Sequence, residues 1–189
     1  AAGKTALYAG TLPTPALAFY GLTLHAPAII ITGSHIPFDR NGIKFYGATG
    51  EISKDDEAAM LRAVIDLPDT IHTSPLPAPD ARPYQQYVAR YVDFFGPGAL
   101  KGTRVLLYQH SSAARDVLQD ILAQMGCDVL ALGRTDGFVP IDTEAVRPED
   151  ILLAQDWART HHFDAIFSTD GDADRHHLCA VLVRQLDAL

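Results

Sequence analysis

From residue 84 to residue 168 the chain alternates between two hydrophobic periods, and that alternation restricts the fold more than any single residue does. Tyr84, Tyr87, Val88, Tyr91, Val92 and Phe95 recur at helical spacing and are stopped by Gly96-Pro97-Gly98. Residues 104–108 then read as a strand. Val117, Leu118, Ile121, Leu122 and Met125 form the next helical stripe, ended by Gly126. Residues 128–132 read as a strand, Pro148 suits the first turn of a helix carrying Ile151, Leu152, Gln155 and Ala158, and residues 165–168 read as a last strand. Strand, helix, strand, helix, strand predicts an α/β unit with a parallel sheet, and ligands in such sheets sit beyond the carboxyl ends of the strands.

A second unit precedes this one. Gly10-Thr11-Leu12-Pro13-Thr14-Pro15 leads into a helix over about residues 14–22, and residues 27–32 (PAIIIT) read as a short buried strand. A polar loop over 33–41 and a strand over 42–46 follow. Ser53 is placed to cap a helix whose first turn carries Asp55, Asp56 and Glu57, with Met60, Leu61, Val64 and Ile65 expected on one face. Pro68, Pro75, Pro77, Pro79 and Pro83 then crowd into a stretch that neither a helix interior nor a central strand tolerates. We therefore expect two α/β units with mixed or parallel sheets flanked by helices, over residues 1–82 and 83–189.

Composition narrows the function. The formal charge of −8, with 15 scattered Lys and Arg, argues against a nucleic-acid partner, because neutralising phosphates takes clustered cations. No apolar run reaches the eighteen or so residues of a membrane span. Cys127 and Cys179 form no C-x-x-C pair, and two thiols in a chain this size fit a reducing cytoplasm. The absence of an initiator Met leads us to expect a chain that begins partway into a longer protein.

The strongest local chemistry is Asp170-Gly171-Asp172-Ala173-Asp174-Arg175, directly after the last strand. Alternate carboxylates converge on one cation if the loop curls, and Gly171 and Ala173 leave room for it. Hard oxygen donors suit Mg²⁺ or Ca²⁺. An EF-hand is excluded, because the positions that need Gly and Glu hold Arg175 and Val181. A haloacid-dehalogenase pattern fits poorly, with Asp174 at its fifth position and Ser168-Thr169 interrupting the strand. A solvated acidic turn is the plain alternative. The adjacent pairs His161-His162 and His176-His177 diverge and lack partners at i+3 or i+4, so they read as surface or packing residues.

The other polar loop, Thr32-Gly33-Ser34-His35-Ile36-Pro37, places a serine after a strand, with Asn41-Gly42-Ile43-Lys44 downstream. Alone it reads equally as a turn. Together, Thr-Gly-Ser-His-x-Pro, Asn-Gly-x-Lys and Asp-Gly-Asp-Ala-Asp-Arg resemble the α-D-phosphohexomutase superfamily of phosphomannomutases and phosphoglucomutases, and residues 10–15 look like a segment these enzymes carry upstream. The resemblance implies that Ser34 carries a transferable phosphoryl group. It implies that Asp170, Asp172 and Asp174 hold Mg²⁺, with Ser34 completing the metal's shell through its phosphate. Lys44 would be a general acid/base, which requires a lowered pKa, and His35 and Arg175 would be its active-site neighbours. The substrates implied are a hexose phosphate and a hexose 1,6-bisphosphate, with phosphate moving between C1 and C6.

The sequence also departs from that pattern. Ile36 stands where Asn is commoner, and residues 108–112 (YQHSS) lack the glycine-rich look of many relatives, Ser112 reading most simply as an N-cap. The resemblance fades after Arg175 and covers only most of the first and the second of four domains. The alternatives are a non-catalytic metal-binding fragment and, third, a Mg²⁺-dependent phosphatase.

Overall fold

The computed structural model describes residues 5–33, 39–66, 70, 74–141 and 146–179, the last four as backbone. Its first unit is an antiparallel sheet in the order β1-β2-β3, from Ala28–Thr32, Gly42–Gly47 and Gly50–Glu51. Helix α1 (Thr14–Leu24) packs on β1, and α2 (Lys54–Arg62) follows the sheet. As expected, Ser53 caps α2: its hydroxyl accepts from Asp56 N–H while the Asp56 carboxylate accepts from Ser53 N–H.

Two expectations for this unit need correction. The apolar run 27–32 reads as buried throughout, yet only alternate residues are: Ile30 is buried while Ile29 and Ile31 are exposed, and the register sets them against Phe45 and Ile43. Period-2 geometry gives any strand two faces, and no described helix covers the second. Likewise α2 ends at Arg62, where Ala63 turns extended, so Val64 and Ile65 lie outside the helix and Met60, Leu61, Val64 and Ile65 are all exposed.

The second unit follows its sequence closely. Helix α3 (Arg82–Phe95) precedes a sheet in the order β5-β4-β6-β7, with β4 at Arg104–Tyr108, β5 at Asp128–Leu132, β6 at Ala165–Thr169 and β7 at His176–Cys179. β4 pairs parallel with β5 and β6, and β7 returns antiparallel on β6, an edge strand that the helical and strand periods do not reveal. Helix α4 (Arg115–Gln124) joins β4 to β5, and α5 (Pro148–Thr160) precedes β6. Gly126 takes the left-handed conformation that ends α4.

Helices cover both faces of this sheet. On one, Leu106, Phe163 and Ile166 pack with Leu130, Leu132 and Trp157 beneath α5. Elsewhere Val117, Ile121 and Met125 of α4 meet Tyr87 and Val88 of α3, and Ala16 of α1 joins that cluster. The α1–α3 contact thus fuses the two units into one apolar core, which matters because the polar loops of both units must meet. Cys127 is a buried free thiol, and His161 and His162 are both exposed.

Candidate metal and phosphoryl-transfer site

The acidic loop leaves the carboxyl end of β6 between two strands, the position at which open α/β sheets bind ligands. The curl expected of it is present, and Ala173 provides it at φ 55°, a left-handed conformation unusual for a residue with a Cβ. Arg175 N–H donates to Asp170 Oδ1 at 3.3 Å and Asp170 N–H donates to the Arg175 carbonyl at 3.1 Å, closing the loop at its base. One carboxylate oxygen from each of Asp170, Asp172 and Asp174 lies within 4.8 Å of the others, with Asp170 and Asp172 buried and Asp174 exposed.

The first unit supplies the groups that face these carboxylates. Lys44, on β2, donates from Nζ to Asp172 Oδ2 at 2.9 Å and to Asp174 Oδ2 at 2.6 Å. Thr14, the first residue of α1, donates its hydroxyl to Asp172 Oδ2 at 2.9 Å and its N–H to the Asp172 carbonyl at 2.8 Å. A carboxylate at a helix N-terminus is electrostatically favourable, so Asp172 serves α1 as well as the loop. Thr14 was not singled out from the sequence as a site residue. Its only signal was its place inside the Thr-x-Pro-Thr-Pro segment, since a contact spanning 158 residues leaves no local trace.

Lys44 behaves oppositely to the requirement for a base. Burial pulls its pKa down, but the hydrogen bonds and charges of Asp174 and Asp172 outweigh burial and hold the ammonium well above its ordinary value. The residues nonetheless fit a hard divalent cation: the donors are all oxygen, two are buried, and the Lys44 ammonium already stands as a cation against two of them. Arg175 lies at the exposed rim. Ser34 and His35 lie outside the described residues, while Gly33, immediately before them, lines a cavity of about 790 Å³ together with Thr11, Asn41, Ser111, Gly171 and Asp172. Gly33 and Asn41 of the first loop and Gly171 and Asp172 of the second therefore line one space.

The loop after β4 departs from the family pattern in sequence, and Ser112 reads there as an N-cap. Instead Ala114 precedes α4 without a side-chain cap, and the Ser112 hydroxyl lies 2.7 Å from Thr169 Oγ1. His110, fully buried at φ 30°, sets Nε2 2.8 Å from the Thr169 carbonyl oxygen. A carbonyl only accepts, so Nε2 carries the hydrogen and Nδ1 is bare, with no partner among the described residues.

Burial, the largest influence, lowers the pKa of His110 below 6.5, so the folded chain keeps this imidazole neutral. Between 6.5 and the lower folded value the unfolded chain binds one more proton. Stability from this group is complete above about pH 7 and is lost as pH falls through that window, with a slope approaching 1.4 kcal/mol per pH unit, roughly. Urea unfolding at stepped pH should show that slope, and His110→Gln should remove this component of it.

The comparisons agree with this arrangement. A family model described as phosphoglucomutase/phosphomannomutase, alpha/beta/alpha domain I, matches residues 1–69, and its domain II counterpart matches residues 82–181. The chain belongs to the phosphoglucomutase/phosphomannomutase family. The second match continues to residue 181, so the family likeness extends past Arg175, where it was expected to fade.

Among its relatives, a phosphomannomutase of Salmonella muenchen is 45% identical over 174 residues, covering 92% of this chain and 36% of the relative. A phosphomannomutase of Sinorhizobium fredii is 43% identical over 179 residues, covering 92% and 38%. The chain thus spans little more than a third of the curated relatives it matches. A crystal structure of a phosphoglucomutase/phosphomannomutase family protein from Burkholderia thailandensis superposes with a TM-score of 0.70 at 23% identity, covering 95% of this chain and 41% of that one, a likeness of fold. No described helix is long and apolar enough to cross a membrane.

Proposed function

We propose that this chain is the phosphoryl-carrying and metal-binding part of a cytoplasmic phosphohexomutase that moves phosphate between C1 and C6 of a hexose phosphate through a hexose 1,6-bisphosphate. Within it, residues 1–82 bear the serine loop and residues 83–189 the metal loop. The observation that carries the reading is the convergence of Lys44 from one unit on Asp172 and Asp174 from the other, at the wall of a cavity that Gly33 also lines.

In this reading Ser34 Oγ bears the phosphoryl group. A sugar hydroxyl attacks phosphorus, and its bond to phosphorus forms as the bond to Ser34 Oγ breaks. Lys44 Nζ would take and later return the hydroxyl proton only once Asp172 and Asp174, whose contacts hold it protonated, are engaged by the metal they would bind. The bisphosphate then turns over and returns its other phosphoryl group to Ser34. Asp170, Asp172 and Asp174 would hold Mg²⁺, which when bound offsets negative charge on the transferring phosphoryl oxygens. His35 and Arg175 would assist the phosphorylated serine, and Thr14 orients Asp172.

Incubation of the 189-residue chain with a hexose 1,6-bisphosphate and Mg²⁺ tests this. Intact mass should show one phosphate added, and Ser34→Ala should abolish it. Metal binding with no phosphate uptake would favour a non-catalytic metal-binding piece, a reading supported by the limited share of its relatives that the chain spans. Phosphosugar hydrolysis that needs Asp170 but ignores Ser34 would instead indicate a phosphatase.

A further inference from the structure

The hydrogen-bond ladder between β4 and β6 runs to the pair Leu107–Phe167. Beyond it, residues 168–171 carry the chain towards Asp172, and they are gripped by Tyr108 at the end of β4 and by the loop that follows it. Ser168 Oγ donates to the Tyr108 carbonyl at 3.2 Å, His110 Nε2 donates to the Thr169 carbonyl, and Ala113 N–H donates to the Gly171 carbonyl at 2.9 Å. A continuous relay adds to these: Ala114 N–H donates to Ser112 Oγ, Ser112 Oγ meets Thr169 Oγ1, and Thr169 Oγ1 donates to the Asp170 carbonyl at 2.9 Å. Once Thr169 has given its hydrogen to Asp170, Ser112 must be the donor to Thr169, so the relay has one direction and each bond polarises the next.

The loop is itself anchored. Gln109 N–H donates to the Leu132 carbonyl, and its side-chain amide reaches the Arg115 carbonyl and Gln119 Oε1. Tyr108 stacks edge-on to His110 with ring centroids 5.2 Å apart. A fully buried histidine at φ 30° with a bare Nδ1 is a costly choice for stability alone, since an apolar side chain would leave no unpaired polar atom and glycine would relieve the backbone. Strained, buried polar residues persist where the surrounding structure uses them.

We propose that His110 and Ser112 are positioning residues for the metal loop, which tune it to the small cation Mg²⁺ over the larger Ca²⁺. They touch neither the carboxylates nor a substrate. They fix the two peptide groups that flank the Asp170 Cα, and through them the Asp170 side chain. Mg²⁺ demands near-ideal octahedral geometry at short distances, whereas Ca²⁺ accepts irregular shells at longer ones. A loosened loop therefore loses Mg²⁺ first. The inference rests on the reading of Asp170, Asp172 and Asp174 as cation ligands.

Calorimetric titration of the full chain with Mg²⁺ and, separately, Ca²⁺ tests it. His110→Leu removes the donor and should weaken Mg²⁺ binding by about 10- to 100-fold, the range expected when a supporting partner of a metal ligand is lost. Ca²⁺ binding should weaken by less than about threefold. His110→Gln keeps an N–H donor at similar reach and should recover most of the Mg²⁺ affinity. Leu106→Ala, a destabilising change in the cluster beneath α5 that the metal loop does not join, should leave the affinities for both cations unchanged.

Equal losses for the two cations, or no loss in His110→Leu, would overturn the proposal. If His110→Leu does not fold, as circular dichroism would show, Ser112→Ala carries the same test with the same required selectivity for Mg²⁺. A wild-type chain that binds neither cation, or an Asp172→Ala chain that binds as wild type does, would overturn the ligand reading and the proposal together, an outcome separate from intact binding that is indifferent to His110.

Discussion

Asp172→Asn should abolish Mg²⁺ binding, weakening it by more than about 100-fold, while leaving the metal-free chain at least as stable as wild type. The first half follows from the proposed role of Asp172 as a ligand, whose loss is a greater change than loss of a supporting partner. The second half follows from the charges. Three carboxylates with oxygens within 4.8 Å of one another repel, and the amide removes one negative charge while still accepting from Thr14 and Lys44. In thermal melts the wild type should gain about 2.7 kcal/mol at a Mg²⁺ concentration 100 times its dissociation constant, and the variant should gain nothing. A variant that loses stability without metal yet still responds to Mg²⁺ would assign Asp172 to the fold instead of the site. Asp172→Ala differs usefully: it also deprives Thr14 and Lys44 of their acceptor, so it should disturb the contact between α1 and the loop as well.

Leu106→Ala should cost about 4 kcal/mol of unfolding free energy, near the upper end for buried leucines. Leu106 is wholly buried on β4, which is paired on both sides, and it packs with Phe163, Ile166 and Trp157 beneath α5. A strand held by ladders on both edges cannot shift inward to fill the space, so the cavity term is felt almost in full. Urea unfolding should show a lower midpoint at an unchanged slope. The Mg²⁺ affinity of the folded chain should not move, in contrast to Asp172→Asn, because Leu106 lies within the sheet and not at its carboxyl end.

Much of this molecule was legible in its residues. The helix and strand periods from 84 to 168 placed α3, β4, α4, β5, α5 and β6, since a buried stripe imposes a period of 3.6 or 2 wherever it occurs. Gly126 and Ser53 marked helix ends because left-handed backbone and unpaired N–H groups demand particular side chains. The errors were equally physical. The residue run 27–32 looks the same whether one face or two are covered, and the stripe continuing through Val64 and Ile65 did not reveal that the helix stops at Arg62.

The Asp-rich loop divides most clearly between the two kinds of information. Alternating carboxylates with small residues between them show, as sequence, which kind of cation would suit the loop, a hard one, beside the plain alternative of a solvated turn. Only the tertiary structure decided that Lys44 and Thr14 meet Asp172 across 128 and 158 residues, and that His110 and Ser112 hold Thr169 from the neighbouring strand's loop. Local patterns record the forces within an element. Contacts between elements depend on how the strands are ordered in the sheet and on α1 packing against α3, and neither leaves a period in the chain.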